Sequence, residues 1–158
     1  MSFVPIIMGS KADLPQGKAI AEGLSAFGIA SELRVASAHK AAHYLLDLLA
    51  AYETDPRSKV YITVAGRSNA LSGLVDANVR APVIACPPYS ERFGGVDLFS
   101  SLRMPSGIAP IPTCARGSRR RSKPRRNRSS RTIARCKRSS RRRMREAEDE
   151  VRRLGPTA

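Results

Sequence analysis

Ser37-Ala38-His39-Lys40 sets an imidazole beside an ammonium group, where an apolar run ends and an amphipathic stretch begins. Histidine takes up and returns protons near neutral pH, so His39 is a candidate general acid/base, with Lys40 supplying positive charge beside it. Two other stretches stand in the same relation to an apolar run: Gly9-Ser10-Lys11-Ala12-Asp13 and Ala65-Gly66-Arg67-Ser68-Asn69. Together the three bring glycines, hydroxyls, three cations, one imidazole and one carboxylate. Such a set suits a phosphate ester, with Asp13 accepting a hydrogen bond from a sugar hydroxyl. Neither GxxxxGK[ST] nor GxGxxG occurs, so ATP hydrolysis and dinucleotide binding find no support.

Each residue also has a plainer reading. Ser10, Asp13, Ser37 and Asn69 are all good helix N-caps, and Arg67 at a strand end serves equally as a surface charge. Cys86 reads as a small apolar packing group, and His43, with no HExxH partner, as structural. Pattern alone leaves both readings open at every position.

The elements that must position these stretches follow from hydrophobic period. Phe3 to Met8 is a short apolar run, as expected of a strand covered on both faces. From Asp13 the period becomes helical, with Ala19, Ile20, Gly23, Leu24 and Phe27 on one face and Gly28 as a left-handed cap. Ile29 to Ala36 predicts a second, less buried strand, and Ala41, Tyr44, Leu45, Leu48, Leu49 and Tyr52 predict a second helix that Pro56 stops. Lys59 to Ala65 is the strongest strand signal, being β-branched and aromatic. A short helix over Asn69 to Asn78, a fourth strand over Ala81 to Cys86 and a short helix over Asp97 to Met104 complete the pattern. Strands alternating with helices imply parallel order and right-handed crossovers, hence a three-layer α/β/α domain. In such a sheet all three candidate stretches emerge at the carboxyl edge.

Composition divides the chain in two. Residues 1–114 hold 10 Lys+Arg against 9 Asp+Glu, whereas residues 115–158 hold 18 against 4, so the net charge of +15 lies almost wholly in the tail. The organisation expected is a domain over 1–110, a basic Arg/Ser-rich segment over 111–143 with no face to bury, and a short amphipathic helix over 144–158. The three cysteines, Cys86, Cys114 and Cys136, have no CxxC or CxxH spacing and are odd in number. They support neither a zinc site nor a disulfide framework, and no metal is expected. No basic leader and no membrane-length apolar run are visible, so a soluble cytoplasmic protein is expected.

Taken in order, the blocks Gly9-Ser10-x-x-Asp13, Ser37-Ala38-His39-Lys40, Ala65-Gly66-Arg67-Ser68-Asn69, Cys86-Pro87-Pro88 and Ser101-Leu102-Arg103-Met104-Pro105-Ser106-Gly107 resemble phosphoribosylaminoimidazole carboxylase, the PurE-type enzyme of purine biosynthesis. The likeness runs from about Val4 to Pro110. SAHK and AGRSN resemble the branch that carboxylates 5-aminoimidazole ribonucleotide (AIR) with CO2; the mutase branch, which acts on the N5-carboxylated nucleotide, usually reads SAHR. The resemblance implies a flavodoxin-like or Rossmann-like parallel sheet and carboxylation at C4 with no ATP, biotin, metal or other cofactor. It further implies His39 and Lys40 as catalytic residues, and substrate held by Gly9, Ser10, Asp13, Ser37, Gly66, Arg67, Ser68 and Asn69. Met104 to Gly107 would close the site, and the partners would be AIR, CO2 and further copies of the chain in an octamer.

The tail departs from that family, whose members continue with an apolar segment and long helices that pack on neighbouring subunits. Residues from roughly 111 to 143 read as a GC-rich coding segment translated out of frame, with the frame restored near Met144. The alternative is a basic tail, attached to an inactive domain, that binds nucleic acid non-specifically through its charge.

Overall fold

The computed structural model describes residues 2–105, 108 and 110–112. Strand β1 (Phe3–Met8) is buried along its whole length, and Ile6 and Ile7 are fully enclosed. Burying each such side chain stabilises the fold by about 1.5–3 kcal/mol. Odd and even residues face opposite ways, as the pleat demands. Phe3 and Ile7 join Leu45, Leu49, Tyr61 and Val75 in one core cluster, while Val4, Ile6 and Met8 join Ile62 and Val64 in a second.

Helix α1 (Leu14–Ser25) covers the second cluster through Leu14, Ile20 and Leu24, with Pro15 in its first turn. Helices α2 (Ala42–Thr54) and α3 (Leu71–Asn78) cover the first. The expected three layers result. The apolar face assigned to α1 differs at its end: Phe27 is 82% exposed. The helix stops at Ser25, and the Gly28 N–H donates to Ser25 O at 2.9 Å with Gly28 at φ +69°, so the turn swings Phe27 off the sheet.

Strands β2 (Ala30–Val35), β3 (Tyr61–Val64), β4 (Val83–Ala85) and β5 (Ile111–Pro112) complete a wholly parallel sheet in the order β2-β1-β3-β4-β5. The lower burial expected of β2 has its cause here, because β2 is an edge strand. Four strands were expected; the short fifth pairs Ile84 with Ile111, just past the boundary drawn at residue 110. The expected basic segment beyond it and the helix over 144–158 lie outside the described residues.

Between β4 and β5 the chain forms two 3-10 turns, Glu91–Phe93 and Val96–Ser101, where sequence period predicted one short helix over Asp97 to Met104. Among the described residues no helix is long and apolar enough to cross a membrane.

Candidate active site

In the order β2-β1-β3 the connections leave β1 in opposite directions: α1 leads out to β2, and α2 returns across β1 to β3. A crevice opens at the carboxyl ends of the strands at such a reversal. Here it is a cavity of about 430 Å³, and residues from all three predicted stretches line it.

From the loop after β1 come Gly9, Ser10 and Asp13. The Asp13 carboxylate folds back so that Oδ2 accepts from Ser10 N at 2.9 Å and from Ser10 Oγ at 3.1 Å. Gly9 lies close against β3, since a Cβ there would meet Ala65 Cβ at 3.3 Å. The tight approach keeps the first and third loops side by side.

From the loop after β2 come Ser37, His39 and Lys40. Ser37 does not cap α2 directly, and His39 does not sit in the helix's first turn. Residues 37–41 instead form a turn closed by Ala41 N to Ser37 O at 2.9 Å, and Ser37 Oγ accepts from Lys40 N at 3.3 Å. His39 and Lys40 stay exposed at the mouth. His43, one turn into α2, is exposed and does not line the cavity.

From the loop after β3 come Gly66, Arg67 and Ser68. Asn69, expected beside them, is 5% exposed and turns inward instead. Its Oδ1 accepts from Ser72 N at 3.1 Å and its Nδ2 donates to Ser101 Oγ at 2.8 Å, so its side chain is spent on starting α3 and fastening the loop. At Asn69 the capping reading accounts for both side-chain groups. Asn69 takes the cap.

Three lining residues carried no sequence signal of their own: Leu71, Ser90 and Asp97. Pro88, from the Cys86-Pro87-Pro88 block, forms another wall, and a Cβ on Gly66 would come within 3.2 Å of its Cγ. Met104 was expected to close the site but packs its sulfur on Gly73 of α3, 3.1 Å from where a Cβ would stand. Ser106 and Gly107 lie outside the described residues.

The cavity therefore gathers one imidazole, two cations, two carboxylates and four serines around strand-end amides. Among the described residues no group of three metal-ligating side chains exists.

The AIR carboxylase family matches residues 3–149. The chain belongs to that family. Over 106 residues, 67% of this chain, it is 58% identical to a phosphoribosylaminoimidazole carboxylase of Archaeoglobus fulgidus. Over 108 residues it is 53% identical to the enzyme of the same name from Treponema denticola, covering 68% of each. The matched segment spans 58% of the Archaeoglobus relative's length and 25% of a mouse bifunctional relative, to which it is 46% identical. The crystal structure of Treponema denticola PurE superposes with a TM-score of 0.71 at 37% identity, covering 95% of this chain and 93% of that one. Membership of the AIR carboxylase family and the flavodoxin-like strand order agree with what the five sequence blocks implied.

Proposed function

We propose that this chain carboxylates 5-aminoimidazole ribonucleotide at C4 with CO2, using neither ATP nor biotin. The observation that carries the reading is the convergence of His39 and Lys40 with Ser10, Asp13 and the Gly66-Arg67-Ser68 turn on one cavity. It rests also on family membership and on relatives named phosphoribosylaminoimidazole carboxylase.

The aminoimidazole is an enamine, nucleophilic at C4. Holding CO2 against that carbon is most of the catalytic work. The new C–C bond forms from the enamine pair, one C=O pair moves onto oxygen, and C4 then bears both a proton and a carboxylate. His39 accepts that proton as aromaticity returns, and passes it to water. Lys40 stabilises the carboxylate. Ser10, Asp13 and Ser37 take the ribose phosphate, while Gly66, Arg67 and Ser68 take the CO2 side; Asn69 serves by shaping that turn.

Supplying the nucleotide with bicarbonate and no ATP should give carboxylated product. Product from the N5-carboxylated nucleotide alone would mark a mutase, and product from neither would leave the domain without this activity. His39→Asn should lower kcat by about 10²–10⁴-fold, the usual size of a positioned acid/base.

Assembly into a homo-oligomer, an octamer as the family resemblance implies, is supported by the apolar surface beside the cavity: Val96, Phe99 and Leu102 are each more than half exposed. Light scattering tests it. For the tail, the abrupt change of composition after residue 110 and the helical spacing of Met144, Ala147, Val151 and Leu154 support a reading frame lost and then restored. Translating the coding DNA of residues 111–143 in the other frames should yield an Ala/Leu-rich helical pattern. If it does not, the tail is a genuine basic segment, and nucleic-acid binding that falls steeply with salt should be found.

A further inference from the structure

Arg67 has φ +58°, the one described non-glycine residue in the left-handed region. Such a backbone costs on the order of 1–3 kcal/mol and persists where surrounding contacts over-determine it. The contacts come from the 3-10 turn Val96–Ser101. Asp97 Oδ2 accepts from Arg67 N at 3.0 Å, and Ser100 Oγ lies 2.8 Å from Arg67 O while accepting from Asn69 N at 3.1 Å. The backbone N–H of residue 67 is thus held from a segment thirty residues away, and its carbonyl shares the one Ser100 hydroxyl proton with Asp97 O at 2.7 Å.

A second cost sits in the same contact. Asp97 Oδ1 is buried with no hydrogen-bond partner, an expensive state for a carboxylate oxygen. Asp97 also forms part of the cavity wall, and its Oδ2 stands 3.6 Å from where a Cβ on Gly66 would be.

We propose that Asp97 is a positioning residue of the active site: by holding the Arg67 amide it locks the Gly66-Arg67-Ser68 turn in the left-handed form that faces His39 across the cavity. Without the latch residue 67 relaxes to an ordinary backbone, and the turn loses its aim. Asp97 acts through the turn.

The kinetic part of this inference rests on the carboxylase reading. In the full-length chain, Asp97→Ala should lower kcat/KM about 10–100-fold, chiefly through KM for CO2, because small misplacements of binding groups carry such penalties. Asp97→Asn, which keeps a carbonyl acceptor for the Arg67 amide, should lose only about threefold. In an Arg67→Gly background the left-handed turn needs no latch, since glycine adopts it without strain, so Asp97→Ala should cost almost nothing further. An equal cost in both backgrounds would overturn the proposal. Hydrogen exchange gives a readout independent of turnover: the Arg67 amide should exchange faster in Asp97→Ala and stay protected in Asp97→Asn. Unchanged exchange would also overturn it. Failure of the wild-type chain to carboxylate the nucleotide would count against the proposed reaction, and the exchange result would still decide the latch.

Discussion

Asp13 Oδ2 accepts both the N–H and the O–H of Ser10. One carboxylate oxygen therefore fixes the serine backbone and its hydroxyl together, and the second oxygen takes no part in either bond. The pairing explains how Asp13 and Ser10 can cap the turn and line the cavity at once. The cap orients the hydroxyl at the cavity wall.

Removing that carboxylate should loosen the first loop. If the proposed carboxylation holds, Asp13→Ala is expected to raise KM for the nucleotide about tenfold; in any case it should lower stability by about 1 kcal/mol, the ordinary worth of a helix-start hydrogen bond. Steady-state kinetics with a urea titration checks both. Asp13→Asn, keeping one acceptor, should fall between wild type and Asp13→Ala.

Much of this site was legible because the period of the sequence fixes which loops share an edge. Once β1, β2 and β3 are parallel, the stretches at 9–13, 37–40 and 65–69 have no other place to go. Asn69 shows where that logic ends. A strand-end asparagine can face substrate or cap the next helix, and only the presence of Ser101 beneath it decides. Asp97 and Ser90 were illegible as lining residues for a different reason: the period marks a helix beginning at Asp97 but not that the chain there is a 3-10 turn folded over the cavity, and Ser90 lies on an irregular segment with no period. Phe27 was assigned to the core because helical spacing extends past Ser25, but the spacing carries no information on where the backbone turns.

Tyr61 should contribute to the alkaline limit of stability. Its hydroxyl donates to Glu53 Oε1 at 3.1 Å, and burial first, then the Glu53 charge, push its ionisation well above the ordinary 10.0. In the unfolded chain the phenol ionises from about pH 10, while in the fold it stays neutral, so its stabilisation is complete below pH 10 and is lost as pH rises beyond it. Urea midpoints should therefore fall steeply above about pH 10 in wild type, and less steeply in Tyr61→Phe. At neutral pH that variant should cost about 1 kcal/mol for the lost hydrogen bond.

At the acid end the sign reverses. Arg57 Nη2 and Nε bond Asp55 Oδ2 at 2.6 and 2.9 Å, and the Arg57 backbone N–H adds a bond to Oδ1 at 2.8 Å. The side-chain bonds first, then the backbone bond, hold the Asp55 carboxyl down to about 2. A depressed folded value gives stability that is present above the unfolded value and is lost as pH falls toward 2. Arg57 is exposed and Asp55 partly so, so salt should weaken the effect. Chemical denaturation between about pH 5 and pH 2 should show a shallower acid limb for Asp55→Asn than for wild type.

Gly17 tests the packing that seats the first loop. It is buried in the first turns of α1, and a Cβ there would stand 2.6 Å from Met8 Sδ and 3.2 Å from Leu33 Cδ2. Two effects compete in Gly17→Ala. Helix propensity favours alanine by about 1 kcal/mol, whereas overpacking a tight core costs about 1–3 kcal/mol. Met8 is 1% exposed, so its thioether has little room to withdraw. Overpacking should win. We expect a net loss of up to about 2 kcal/mol, read as a drop in Tm of up to several degrees for a domain of this size. Adding Met8→Ala makes room for the methyl, so in that background Gly17→Ala should become neutral or stabilising. Because Met8 ends β1 and leads directly into Gly9 and Ser10, the single variant should also raise KM for the nucleotide, and the double variant should show whether the loop follows the strand beneath it.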